Sequence, residues 1–352
     1  MKANRIVIAA GGTAGHVAPA LAVADALRAE GAEVFFLGGT RAEARLVPAA
    51  GYPLRTLSVE GLSRGNPLRA ARALGRAAFA LGRARRMLRE IEPAGVLGGG
   101  GYVSGPVGLA ALQLGVPLVI TEADSHLGLA NRLLARGARR VCLAFPIAGR
   151  ESERYRVTGR PIPFADADRE SAREHFGVKG GERCVLVFGG SLGARSINLA
   201  AVEGLAGLVE RSREGAGARV RVLHVAGRRD YAELAARELP EGYDLREYLE
   251  LEEFARALAA ADLAVARAGG SVFELAAYGV PAILVPYPHA SGDHQSVNAR
   301  WMAEGGAAVV VGDEQLNGER LASEVGGLLD ERERLAGMSG AARALGRAAF
   351  AL

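Results

Sequence analysis

Cysteine is nearly absent from this 352-residue chain: Cys142 and Cys184 are far apart and show no metal-ligand spacing. A disulfide framework is therefore not expected, and the chain suits a reducing compartment. Lysine is as scarce, at Lys2 and Lys179 only, so the 43 basic residues are nearly all arginine, against 39 acidic ones. The net charge of +4 fits a coding bias or a basic surface turned toward anionic lipid or phosphate. Long apolar runs are also missing. The nearest, Gly105 to Ile120, is broken by Pro106, Gln113 and Pro117, so no segment reads as membrane-spanning. The run Ile6 to Ala10 stops at Gly11-Gly12, too soon for a signal peptide. Any membrane contact is expected to be peripheral.

What the chain does have is glycine, 48 residues of it, gathered in short clusters after apolar runs. Ile6–Ala10 reads as a buried strand, Gly11 to His16 as a loop, and Ala18 to Glu30 as a helix stopped by Gly31. Val34–Leu37, Val96–Leu97 and Leu118–Thr121 continue the alternation. A second series follows with Cys184–Phe188, Arg221–Val225, Leu263–Ala266 and Ala282–Pro286. Alternating strands and helices predict an α/β fold with parallel sheets. The Gly/Pro stretch Thr158 to Pro163 reads as a linker. The expected division is 1–160, 161–335 and a last helix, 336–352, that could return to the first domain. The segment Ala70 to Leu81 recurs identically as Ala341 to Leu352; with no other fixed period, it signals local duplication rather than a solenoid.

Glycine-rich turns between a strand and a helix bring backbone N–H groups and a helix dipole to one point, which suits anions. The loops spell neither GxGxxG nor GxxxxGK[ST], which disfavours nicotinamide enzymes and P-loop NTPases. His289, Asp293 and His294 could in principle ligate a cation, but no metal is expected. Asp166-Ala167-Asp168 follows the linker and reads as a helix start.

Five motifs taken together are specific. They are Gly11-Gly12-Thr13-Ala14-Gly15-His16 with Pro19; Gly100-Gly101-Tyr102-Val103-Ser104-Gly105-Pro106; Gly189-Gly190-Ser191-Leu192-Gly193-Ala194 with Asn198; Arg267-Ala268-Gly269 with Glu274; and Asp293-His294-Gln295 with Asn298. In this order they resemble the MurG family, the peptidoglycan N-acetylglucosaminyltransferases of glycosyltransferase family 28. The resemblance implies a GT-B fold, with two Rossmann-like domains facing a central cleft. It implies inverting transfer of GlcNAc from UDP-GlcNAc to the 4-hydroxyl of the MurNAc-pentapeptide of lipid I, giving lipid II and UDP. The acceptor would be undecaprenyl-diphosphate-linked, at the cytoplasmic face of an anionic membrane. No cofactor and no nucleic acid are implied.

The same resemblance supplies roles. His16, whose imidazole titrates near neutral pH, is the candidate base, with Glu122 as fallback. Thr13, Ala14 and Gly15 would approach the diphosphate or the acceptor, and Tyr102, Ser104 and Asp124 would line the acceptor side. Gly190, Ser191 and Gly193 would hold nucleotide phosphate. Gly269, Gly270 and Ser271 would meet the diphosphate, with Val272 and Phe273 also at the substrate, Glu274 would meet the ribose hydroxyls, Leu249 the uracil through its backbone, and Gln295 and Asn298 the sugar hydroxyls. The family often has an Arg where this chain has Pro163. The stretch Leu68 to Leu88 mixes arginines with apolar residues, as a membrane-surface helix would. The rivals are a related enzyme acting on another lipid, such as diacylglycerol, and a non-catalytic nucleotide-sugar binder.

Overall fold

The computed structural model describes residues 4–57, 67–163, 167–190, 192–215 and 218–350. The chain forms two compact units, the first ending at Pro163. The first contains β1 (Arg5–Ala9), α1 (Ala14–Ala29), β2 (Glu33–Gly38), α2 (Ala42–Ala49), β3 (Leu54–Thr56) and α3 (Pro67–Ile91). It continues through β4 (Gly95–Gly98), α4 (Ser104–Gln113), β5 (Leu118–Glu122), α5 (Leu129–Leu134), β6 (Arg140–Leu143) and β7 (Tyr155–Val157). Its strands run β3-β2-β1-β4-β5-β6-β7, all parallel, with Ile8 opposite Phe36 on one side and Leu97 on the other. Val7, Ile8 and Ala9 are fully buried, as a strand covered by helices on both faces requires.

The second unit contains α6 (Arg169–His175), β8 (Arg183–Phe188), α7 (Arg195–Glu214), β9 (Val220–Val225), α8 (Tyr231–Ala235), β10 (Tyr243–Arg246) and α9 (Leu251–Ala260). Then come β11 (Leu263–Ala266), α10 (Ser271–Tyr278), β12 (Ala282–Leu284), α11 (His294–Glu304), β13 (Ala308–Val310), α12 (Gly318–Asp330) and α13 (Arg332–Phe350). The order is β10-β9-β8-β11-β12-β13, again parallel. Asp168 caps α6, its carboxylate accepting from Ser171 N at 2.8 Å. Ser339 on α13 donates to the carbonyl of Gly279, the residue that closes α10.

The expected loop Gly11 to His16 is shorter than its sequence suggests. Thr13 is the N-cap, and α1 already includes Ala14, Gly15 and His16. Pro19 lies within this helix. Proline has no N–H, so the carbonyl four residues earlier, on Gly15, loses its helical donor. Arg160 replaces it, its guanidinium donating to Gly15 O. The helix thus tolerates Pro19 because a distant arginine completes its first turn.

A buried polar chain crosses the second unit's core. His224 on β9 meets Tyr243 Oη at 2.9 Å through Nδ1 and Asn198 Oδ1 at 3.1 Å through Nε2. Asn198 donates onward to Ala226 O at 2.8 Å and to Asp230 at 2.9 Å. Asn198 therefore offers His224 an acceptor, the ring carries its proton on Nε2, and Tyr243 donates to Nδ1. Burial pushes His224 from the ordinary 6.5 down to about 3. The native ring stays neutral where the unfolded ring takes a proton. This contribution to stability is complete above pH 6.5 and is lost as pH falls toward 3, at about 1.4 kcal/mol per pH unit. Melting curves of wild type and His224→Gln across this range should converge at acid pH. Parallel curves would contradict the assignment.

Candidate active-site loops

In an open parallel sheet, ligands gather beyond the carboxyl ends of the strands, at the point where strand order reverses. That point lies between β1 and β4 in the first unit and between β8 and β11 in the second. In the first unit the flanking turns are residues 10–13 and 99–103. His16 stands in the first turn of α1, half-buried, in a slot between them. A methyl group built on Gly12 would lie 3.6 Å from its Cδ2, and one on Gly100 3.2 Å from its Nδ1. Burial, then the Arg160 guanidinium, pull the imidazole below its ordinary value; the Asp124 carboxylate opposes them. The ring is therefore neutral near pH 7 and able to accept a proton. Arg160→Gln should raise the His16 midpoint in an NMR titration, because a repelling charge is gone. An unmoved midpoint would remove Arg160 as a cause.

Around this slot, two expected site residues also brace the backbone. Ser104, 1% exposed, donates to Ala9 O and accepts from Gly100 N. Glu122 is buried and its oxygens accept from Gly128 N at 2.8 Å, Asn131 Nδ2 at 3.0 Å and Asp124 N at 3.2 Å. With both oxygens engaged by these three donors, Glu122 shapes the turn after β5. Thr13, Ala14, Gly15 and Asp124 are at least partly accessible. The Thr13 side chain makes no capping bond, and no acidic residue stands in the first turn of α1.

Sequence reasoning missed Glu43 on α2, a fully buried carboxylate. It accepts from Gly12 N at 2.8 Å, Gly39 N at 2.9 Å and Tyr102 Oη at 2.8 Å. Burial works against its ionisation, but these donors outweigh burial and hold the carboxyl below its usual range. Among charged neighbours in Arg41-Ala42-Glu43-Ala44-Arg45 it reads as an exposed helical residue. Only the convergence of three loops, two of them distant in sequence, explains its burial.

In the second unit, the turn after β8 carries Gly190 and Gly193, both at positive φ; Ser191 lies outside the described residues. The turn after β11 leads into α10, with Gly269 open and Gly270 as N-cap. Ser271 Oγ is turned back toward Arg267 O at 3.3 Å. Val272 and Phe273 are fully buried, so only their backbone can face a ligand. Glu274 sits in the first turn of α10. Leu249 is buried too, which suits a backbone role. Gln295 is half-buried, and its Oε1 accepts from Tyr287 N at 2.9 Å.

Asn298, expected beside the sugar hydroxyls, lies deeper than Gln295. It is 1% exposed, and its Nδ2 donates to Ala268 O at 2.9 Å. It supports the turn before α10 from beneath, with a buried Oδ1 that has no hydrogen-bond partner among the described residues. Arg267 steadies the same turn from its other end, bonded to Asp313 at 2.6 Å and Ser196 Oγ at 2.9 Å. Among the described residues, no group of three or more His, Cys, Asp or Glu is arranged to hold a metal ion.

Residues 6–143 match the N-terminal domain of glycosyltransferase family 28 and residues 184–351 its C-terminal domain. The chain is 44% identical to the UDP-N-acetylglucosamine–N-acetylmuramyl-(pentapeptide) pyrophosphoryl-undecaprenol N-acetylglucosamine transferase of Moorella thermoacetica, covering 97% of this chain and 95% of that one. It is 46% identical to the protein of the same name from Methylococcus capsulatus, over 98% and 95% of the two chains. The crystal structure of Acinetobacter baumannii MurG superposes with a TM-score of 0.72 at 31% identity, covering 97% of this chain and 94% of that one. The two parallel sheets and this superposition establish a GT-B fold of two Rossmann-like domains.

Proposed function

The chain belongs to glycosyltransferase family 28, and on that basis we propose that it transfers GlcNAc from UDP-GlcNAc to the 4-hydroxyl of lipid I, yielding lipid II and UDP. Near-full-length similarity to relatives named for that reaction carries the reading. The first unit binds the lipid-linked acceptor and the second the UDP-sugar. His16 takes the proton of the 4-hydroxyl as its oxygen attacks C1 of the donor. The bond from C1 to the diphosphate oxygen breaks, the electron pair leaves with UDP, and the anomeric configuration inverts. Its lowered proton affinity keeps His16 in the accepting form at neutral pH. Backbone N–H groups of Gly269, Gly270, Ser271, Val272 and Phe273 meet the departing diphosphate at the start of α10. Gly190, Ser191 and Gly193 form the other phosphate turn, Glu274 takes the ribose hydroxyls, and the backbone of Leu249 reads uracil. Gln295 meets the sugar, with Asn298 supporting the turn from below. Tyr102 and Asp124 border the acceptor, beside Thr13, Ala14 and Gly15.

Among the described residues, no helix is long and apolar enough to cross a membrane. Docking on an anionic cytoplasmic membrane face instead involves α3, α4 and α5 of the first unit. There Phe79, Leu109, Leu129 and Leu133 are 67%, 42%, 52% and 60% exposed, with Arg83, Arg86 and Arg132, and Arg136 just beyond α5, also exposed. Within the Leu68 to Leu88 stretch, the side chains before residue 79 lie outside the described ones. Leu88 is buried, with Leu81 and Met87 packed on the core, so among the described side chains Phe79, Arg83 and Arg86 form the outward face. A panel of UDP-GlcNAc, UDP-glucose and UDP-galactose against lipid I and diacylglycerol tests the function. Butanol-extractable label from UDP-GlcNAc with lipid I alone is expected; transfer to diacylglycerol would favour the rival enzyme.

A further inference from the structure

We propose that Glu43 is a positioning residue that fixes the catalytic slot of the first unit by holding both of its walls with one carboxylate; this rests on the reading of His16 as base. One wall is Gly12, whose N–H donates to Glu43 Oε2 at 2.8 Å. The other is the turn containing Gly100 and Tyr102, whose hydroxyl donates to Oε1 at 2.8 Å. Gly39 N, at 2.9 Å, ties the same oxygen to the end of β2. The packing leaves no slack. Methyl groups built on Gly11, Gly38 or Gly39 would come within 2.8 to 2.9 Å of Glu43 side-chain atoms. At Gly39 the methyl would also overlap Tyr102 Oη. On the opposite side, a methyl on Gly101 would overlap Gly11 O, so the two walls already touch. The charged groups acting on His16 are Arg160 and Asp124. Glu43 acts instead through the backbone of Gly12 and the ring of Tyr102.

A carboxylate is required because three donors converge on it and it has no proton to offer. Glutamine has the same shape but must point its NH2 at one of them. Its oxygen can keep Gly39 N and Tyr102 Oη, which leaves NH2 against Gly12 N–H. That wall loses its tether, and unpaired buried donors are costly. Glu43→Gln should lower kcat on the order of 10²-fold, the scale of a misplaced catalytic group. UDP-GlcNAc affinity should be unchanged, and the His16 C2–H resonance should shift. Gly39→Ala, at ordinary φ, pushes Tyr102 off the carboxylate without altering its charge; it should give the same pattern if Glu43→Gln folds poorly. Wild-type kcat with an unmoved His16 resonance in either variant overturns the proposal. So does a joint collapse of melting temperature and donor affinity, which would make Glu43 a general brace. If His16→Ala keeps full activity while Glu43→Gln still moves the His16 resonance, the base assignment fails and the positioning stands.

Discussion

His16→Ala is expected to lower acceptor-dependent kcat by roughly 10²–10⁴-fold, the contribution of a positioned general base. UDP-GlcNAc affinity should persist, because the donor contacts are assigned to the second unit. The pH profile gives a sharper signature. A base must be unprotonated, so wild-type kcat/KM should hold as pH falls through the ordinary imidazole value of 6.5 and decline only below it. Two causes set this direction, burial first and Arg160 second, with Asp124 working against them. The variant should lose this acid limb along with its rate. An acid limb retained in His16→Ala would mean that another group titrates.

Gly193→Ala should have the largest effect on the donor side. Gly193 has φ +82°, a conformation that costs an L-residue about 1–2 kcal/mol. Its added methyl would also overlap the Ala226 carbonyl oxygen and come within 3.2 Å of Asn198 Nδ2. Backbone does not yield as a flexible side chain does, so the turn before α7 must move. UDP-GlcNAc affinity should fall by at least about tenfold, as read by calorimetry, while the His16 titration stays put. Gly190→Ala is the internal comparison. It shares a positive φ, +92°, but its methyl would meet nothing within 4 Å, so its loss should be smaller. Equal losses would show that strain alone, and not the Ala226 contact, shapes the turn.

These two variants probe what was most legible in the sequence. Central strands such as Cys184–Phe188 are apolar throughout because both faces are buried, and a glycine turn follows each at the switch point. The strands that were missed, β3, β6, β7, β10 and β13, have three or four residues each. They lie toward the sheet edges, where polar residues such as Arg55, Arg140 and Arg156 interrupt the apolar run. The helical start at Ala14 was hidden because Gly15 and Pro19 both argue against a helix locally; a distant arginine resolves the conflict. Glu43 was missed, and the burial of Asn298 was not foreseen, for one reason. Polarity in a sequence predicts exposure, yet both are buried where backbone donors or carbonyls from other loops converge. Such convergence is a property of the fold, and no local pattern announces it.

The central claim is catalysis of sugar transfer to a lipid-linked acceptor, and UDP release from UDP-GlcNAc, with and without a lipid I analogue at neutral pH, tests it most directly. The account predicts release that depends on the acceptor and is largely lost in His16→Ala. Tight UDP-GlcNAc binding by the wild type without acceptor-dependent release would contradict it.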